Sequence, residues 1–397
     1  MTDKKLSEYN IGVKKELTSV IESLLFNGFV KVVFGAEGTG LDKYVSEELT
    51  HSLLNDKKGF EIINLYYANE KIIEETIKTK RNENYRFLLL VGNIFEKAKA
   101  DAFVNMVLES NNLDMICSSN VWYSKLYPER YSIIRGRIYS IYFPSTLYPD
   151  YLNKHENGNV TKFLFQNDLD EDVIDCANRY LTKNQKTLLN TILNSYEVNE
   201  PITLRNLHYK VSKISKNNYS RYQVDKDYLE LKVRQIIYEL GRFDIHENRL
   251  ITSGPTVFPI DTRFYRAFNN QYQRIVNYDK DINKYSNAAV VSRLFYDDWK
   301  VFKAVYPRQE RKENNYREYI RNSDAGFLIS KENMRFLLFV EPWLNDEIML
   351  KIERVETKLP IIVVTFDAVG GFSFKSDGIT YCSLDYFLKE GLNKYVK

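Results

Sequence analysis

The stretch Phe29-Val-Lys-Val-Val-Phe34-Gly35-Ala-Glu-Gly38-Thr-Gly40-Leu41-Asp42-Lys43 constrains the fold of this chain more than any other. Its apolar, β-branched opening reads as a buried strand. Three glycines in six residues follow, and then Tyr44, Val45, Leu49, Leu53 and Leu54 recur at helical spacing. Strand, glycine loop and helix is the layout in which backbone N–H groups cradle phosphate groups. The spacing Gly35-x4-Gly40 fits the phosphate loop G-x-x-x-x-G-K-[ST], but Leu41 and Asp42 occupy its last two positions. The lysine that neutralises phosphate is missing, a carboxylate replaces the hydroxyl that would hold magnesium, and Glu37 adds a second negative charge. Gly35, Gly38, Gly40, Leu41 and Asp42 therefore read as a vestigial nucleotide loop.

Alternating elements surround this loop. A helix is expected from Gly12 to Leu25, a second strand over Phe60–Tyr67 and a charged helix over Glu70–Lys80. The continuous apolar run Tyr85–Val91 has the character of a strand buried on both faces. A helix (Ala98–Ser110) and a strand (Leu113–Cys117) follow, which together spell a doubly wound α/β domain. In an ATPase of this layout the third strand would end in Asp-Glu, one carboxylate organising magnesium and the other activating water. Here it ends in Gly92-Asn93-Ile94, and Asn93 can position a water but cannot ionise. Ser118-Ser119-Asn120 is either a sensor position or a strand-to-loop turn.

With Ile134-Arg-Gly136-Arg137 and the short strand leading to Pro144, this order of motifs resembles prokaryotic AAA+-like ATPases. The resemblance implies an AAA+-like domain over residues 1–153, then a winged helix and a restriction-endonuclease-like C-terminal domain. A weaker resemblance is to clamp-loader delta subunits, AAA+ folds without a working phosphate loop. In such a setting Arg137 is an interface candidate, the remnant of a finger reaching a neighbour's nucleotide.

The linker His155–Val160 opens the middle of the chain, expected as a helical and winged-helix domain over residues 161–275. Thr182-Lys-Asn-Gln185 is a capping box for a helix over Lys183–Tyr196. A second helix starts after Pro201 and carries Leu204, Leu207 and Val211. A third is expected from Asp225 to Leu240, stopped by Gly241, before a hairpin that turns at Asn248. Thr203–Gln223 has no acidic residue and holds Arg205, Lys210, Lys213, Lys216 and Arg221, with Tyr209, Tyr219 and Tyr222 between them. Basic residues with interleaved aromatics suit phosphate contact, and Lys232 and Arg234 extend the set. The bland alternative is a solvated helix face on a protein-contact module.

Residues 285–397 read as a small α/β domain. Helices are expected over Arg263–Val276 and Val290–Val305. Strands follow over Ala325–Ile329 and Phe336–Val340, then a helix over Asp346–Lys358 and a strand over Pro360–Phe366. Asp324 before one strand and Glu341 ending the next resemble the core of restriction-like nucleases, which need Asp and Glu-x-Lys together. Pro342 and Trp343 follow Glu341, and no lysine lies two residues on. Asp297 or Asp298 could supply an upstream acid. Asp324 and Glu341 are thus degenerate nuclease-like positions, and no catalytic residue is assigned.

Composition narrows the rest. With 44% hydrophobic and 27% charged residues the chain is globular, and its net charge of +3 permits nucleic-acid contact without demanding it. Three scattered cysteines and four histidines fit no metal-binding spacing and suggest a reducing compartment. The N-terminus lacks a signal peptide's apolar core, and every apolar run is too short for a membrane span. The expectation is a cytoplasmic, catalytically inactive AAA+-like adaptor or scaffold in a replication, mobile-element or defence complex. DNA and protein are its expected partners; no cofactor or metal is expected, and ATP with magnesium is not expected to be hydrolysed. The alternatives are a protein-interaction-only delta-like subunit, or an ATPase or nuclease using non-standard residues such as Lys43.

Overall fold

The computed structural model describes residues 13–36, 39–54, 59–121, 136–143, 147–165, 181–195, 200–214, 219–259, 261–262, 264, 278–311, 318–355, 357–375 and 377–396. The chain forms two compact units, Met1–Thr146 with Glu230–Ile236, and Leu147–Leu229 with Ile237–Lys397.

In the first unit, β1 (Val30–Phe34), β2 (Glu61–Asn64), β3 (Phe87–Val91), β4 (Leu113–Ser119) and β5 (Ile138–Tyr142) form one sheet in the order β2-β3-β4-β1-β5. Every pair is parallel. The two-residue side-chain period divides each strand between two cores. Phe87, Leu89 and Val91 of β3 and Leu113, Met115 and Cys117 of β4 pack with Ile73 and Ile77 of the helix Glu70–Lys80, and with Phe103, Val104 and Val107 of the helix Ala100–Leu108. Leu88, Leu90 and Ile116 face the other way, onto Leu17, Ile21, Leu41, Tyr44, Val45 and Leu49. Apolar packing on both faces is what a parallel sheet requires, so this is a doubly wound α/β domain.

An ion pair is buried in it. Lys31 of β1, fully buried, lies 2.7 Å from Asp114 of β4, whose carboxylate also accepts from the Phe26 N–H at 2.6 Å. Burial pulls the Lys31 ammonium down and the Asp114 carboxyl up, and each partner opposes the shift of the other. Lys31 therefore serves the packing of β1 on β4.

Three helices precede the antiparallel pair β6 (Ile237–Asp244) and β7 (Arg249–Pro259) of the second unit: Lys183–Ser195 and Leu204–Ile214, which lie in that unit, and Arg221–Val233, whose residues from Glu230 on belong to the first. The capping box forms: Thr182 N–H donates to Gln185 Oε1 at 2.9 Å, and Gln185 N–H to Thr182 Oγ1 at 3.2 Å. The third helix ends well short of Leu240. Gln235 takes φ +58, and the β-branched and aromatic residues after it pair with β7 from Ile237 onward.

β6 also pairs in parallel with β8 (Lys300–Arg311), so the hairpin is the edge of an eight-stranded sheet. The other strands are β9 (Glu318–Lys331), β10 (Met334–Val340), β11 (Ile361–Thr365), β12 (Ser373–Phe374) and β13 (Ile379–Ser383), and the order is β12-β13-β11-β10-β9-β8-β6-β7. The helix expected over Val290–Val305 is instead the end of the helix Tyr278–Tyr296 followed by β8. Asp298 at φ +61 breaks the helix, and the residues after Trp299 alternate as a strand. The helix expected over Arg263–Val276 lies outside the described residues.

Candidate functional site

The first candidate centre sits at the carboxyl ends of β1, β3 and β4. From β1 the chain crosses to β2 on one side, and from β4 it crosses over β1 to β5. Such a reversal is where open α/β sheets form their ligand crevice. Gly35, Gly40, Leu41, Asp42 and Asn93 all lie there, while Gly38 is outside the described residues.

Among the described loop residues, two glycines are required by the backbone. Gly40 adopts φ +83, a conformation that favours glycine. A Cβ on Gly35 would come within 2.8 Å of the Phe143 carbonyl oxygen, so the close approach of β1's end to the chain beyond β5 requires glycine. Leu41, where the phosphate lysine would project, is instead packed into the apolar core with Tyr44 and Val45. Lys43, two places beyond, is exposed.

A chain of hydrogen bonds fills the crevice. The Asn93 N–H donates to Ser118 Oγ at 3.0 Å, and Ser118 Oγ lies 2.6 Å from the Tyr66 hydroxyl. That hydroxyl donates to Asp42 Oδ1. Since Tyr66 gives its proton to a carboxylate and Ser118 accepts from a backbone N–H, the Ser118 hydroxyl donates to Tyr66. Asn93, at φ +44, receives the Asn120 N–H on its side-chain oxygen at 3.3 Å. Burial, with Asp42 beside it, pushes the Tyr66 phenol far above its usual range, so Tyr66 is a fixed neutral donor. Gly92 makes its room: a Cβ there would lie 2.5 Å from the Tyr66 carbonyl oxygen and 2.9 Å from its ring. Sequence reasoning missed Tyr66, because nothing marks a tyrosine two residues beyond β2 as the partner of a loop aspartate. Arg137, the interface candidate, is exposed and donates to Asn105 Oδ1.

The expected DNA-contact residues separate into free and engaged groups. Arg205, Tyr209 and Lys213 are exposed on the helix Leu204–Ile214, with Lys213 Nζ 4.3 Å from the Tyr209 ring centroid. Arg221 and Tyr222 are exposed at the start of the helix Arg221–Val233. Lys210 pairs with Glu200 at 3.0 Å and Arg234 with Glu230 at 3.2 Å, while Lys232 is half-buried. Tyr219 is buried and donates to Asp227, so it is a packing residue. Lys216 lies outside the described residues.

The second candidate centre joins Asp324 and Glu341 to two lysines that their spacing conceals. Asp324 lies within β9, not before it, and a bulge aims its side chain. Lys303 pairs with Phe327 and Val305 with Asp324, so Ala325 and Gly326 together face Ala304. One extra residue in β9 shifts the alternation and turns Asp324 to the face that carries Lys303 and Phe327. Gly326 permits it at φ +77, and its N–H donates to Asp324 Oδ1 at 2.9 Å. Lys303 Nζ lies 2.6 Å from Asp324 Oδ1. Lys351, from the helix Asp346–Glu353, bridges Asp324 Oδ2 at 2.7 Å and Glu341 Oε1 at 2.8 Å. Burial favours the neutral acid at Asp324, but the two ammoniums outweigh it and hold the carboxyl at about 2. Burial likewise opposes the Lys351 charge, and the two carboxylates overcome it and raise the ammonium well above its ordinary value. Asp297 is engaged by Arg293 at 3.1 Å.

Among the described residues no group of three or more His, Cys, Asp and Glu side chains is gathered as a metal site, and no helix is long and apolar enough to cross a membrane.

No family model and no curated protein matches the chain. Among solved structures it is similar to the Aeropyrum pernix ORC1 protein in complex with DNA, at 10% identity and a TM-score of 0.27 over 65% of this chain and 92% of that one. It is also similar to Cdc6p from Pyrobaculum aerophilum, at 15% identity and a TM-score of 0.27 over 65% and 93%. A chain of Drosophila ORC bound to AT-rich DNA and Cdc6 gives 13% identity and a TM-score of 0.26 over 68% and 96%. Likenesses of this size carry no argument about the present chain, whose α/β character rests on its own strand order and packing.

Proposed function

We propose that this chain is an AAA+-like protein that does not turn over nucleotide and works as a DNA-associated adaptor or assembly scaffold. The observation that carries the reading is the Asn93–Ser118–Tyr66–Asp42 chain at the carboxyl ends of β1, β3 and β4. The crevice where phosphates would be cradled is spanned by a neutral phenol and a carboxylate. The donor set does not fit a nucleotide with its magnesium: Leu41 is committed to the core, Asp42 repels phosphate, and Asn93 cannot take a proton from water. Proteins that keep the scaffold of such a domain and lose its chemistry still have surfaces to offer.

The DNA part of the proposal draws on Arg205, Lys213 and Arg221, exposed cations in a stretch without acidic residues, and on Tyr209 and Tyr222 beside them. Cations reach phosphate oxygens and exposed aromatic rings stack on bases. Calorimetry with ATP, with and without magnesium, tests the first part, and the expected result is no heat of binding. Measurable turnover lost in Lys43→Ala would overturn it. Gel-shift titration at low salt tests the second, and its failure would leave a scaffold for proteins alone.

A further inference from the structure

We infer that the C-terminal carboxylate pair is held by a resident ammonium, that of Lys351, at the position where a nuclease of this layout holds a divalent cation. This rests on the second unit alone and is independent of the nucleotide crevice.

The donor set argues it atom by atom. A divalent cation shared by Asp324 and Glu341 would need an oxygen from each carboxylate directed to one point. Lys351 Nζ already occupies such a point, 2.7 Å from Asp324 Oδ2 and 2.8 Å from Glu341 Oε1. The other oxygen of Asp324 is taken twice over, by Lys303 Nζ at 2.6 Å and by the Gly326 N–H at 2.9 Å. The two carboxylates already face two ammoniums, and the buried Arg242 guanidinium also acts on Asp324, so an added dication would leave uncompensated positive charge in a desolvated place.

Lys303 has no way out. It is 1% exposed, and its ammonium sits 4.6 Å from the Phe327 ring centroid. Lys351 is the movable member, with its side chain 30% exposed. Metal and Lys351 therefore compete for the same oxygens, and the ammonium, tethered on the helix Asp346–Glu353, is always present. Removing that one ammonium leaves two carboxylates against Lys303 and Arg242, and frees Asp324 Oδ2 and Glu341 Oε1 for a divalent cation.

Mn2+ titration of the full chain, read by calorimetry and by melting temperature, tests this. Wild type is expected to show no Mn2+-dependent rise in melting temperature. Lys351→Met is expected to gain one, since a ligand that binds only the folded state stabilises it. Adding Asp324→Asn to that variant should abolish the gain. Lys351→Gln, which keeps a donor for the two carboxylates, serves in place of Lys351→Met where the latter does not fold. A folded Lys351 variant without the gain overturns the inference. So does a wild-type chain that takes Mn2+ and loses this ability in Asp324→Asn, whatever the Lys351 variants do.

Discussion

Lys351 Nζ and Asp324 Oδ2 lie 2.7 Å apart, and on its other side Asp324 meets the buried ammonium of Lys303 at 2.6 Å. The three charges come from a helix and two strands that are distant in sequence, so their assembly is a property of the fold. Buried ion clusters seldom add net stability over an apolar core, yet removing one member is costly because it strands the others. Lys303→Met should therefore destabilise the second unit by about 3–5 kcal/mol. Urea denaturation at neutral pH, followed by a probe in that unit, measures it; a loss within experimental error would show that Asp324 finds solvent instead.

The same carboxylate sets an acid limit. Its folded-state value of about 2 lies below the about 3.9 of an unfolded aspartate. A depressed acid contributes its full stabilisation above the unfolded value and loses it as pH falls through the folded one. Stability should hold down to about pH 4 and decline toward pH 2, with Asp324 accounting for about 2–3 kcal/mol of the decline. Asp324→Asn should flatten that part of the urea-derived stability curve while lowering stability at neutral pH.

In the crevice at the carboxyl ends of the first sheet, Gly92 and Tyr66 are fitted to each other. Gly92→Ala places a Cβ 2.5 Å from a backbone oxygen, which cannot swing aside as a side chain would. The expected cost is about 1–3 kcal/mol, as for overpacked cores. Tyr66→Phe should cost about 1–2 kcal/mol by leaving Ser118 and Asp42 without their shared partner. Both are read by thermal or urea melting, and a neutral Gly92→Ala would mean that Tyr66 is free to move.

Restoring the motif should not restore the chemistry. Leu41→Lys puts an ammonium into the core formed with Tyr44 and Val45, and a loss of stability is expected without any gain of ATP binding. Calorimetry with ATP decides: binding regained by Leu41→Lys would show that one missing lysine was the whole defect.

Much of this was legible in the sequence, and the exceptions have physical causes. The strand Val30–Phe34, the helix Glu70–Lys80 and the Thr182–Gln185 capping box depend on neighbours within a few residues, and they stand where the spacing puts them. β8 was not legible, because Val301 to Tyr306 continue the apolar content of the preceding helix and only the φ +61 at Asp298 separates them. The bulge at Ala325-Gly326 inverts the face of Asp324, which no alternation rule anticipates. Lys351 reaches Glu341 from ten residues downstream, through a helix that returns its side chain to the carboxylate. Tyr66 meets Asp42 and Ser118 only because β1, β2 and β4 end together.

The exposed tyrosines make the strongest demand on the DNA proposal. Tyr222 is 77% exposed and Tyr209 60%, with the Lys213 ammonium over the Tyr209 ring. Rings this open stack on bases only where the bases are unpaired, so the preferred ligand should be single-stranded. Tyr209→Ala and Tyr222→Ala should each weaken oligo(dT) binding by about 1–3 kcal/mol and leave duplex binding nearly unchanged. Arg205→Ala, Lys213→Ala and Arg221→Ala should weaken both forms, and each should reduce the salt slope by about one as its phosphate regains a counterion. Lys210→Ala, already paired with Glu200, is the internal control and should change neither. Fluorescence anisotropy across a salt series measures all of them, and equal losses for every cation with no effect at the tyrosines would reduce the face to a diffuse positive surface.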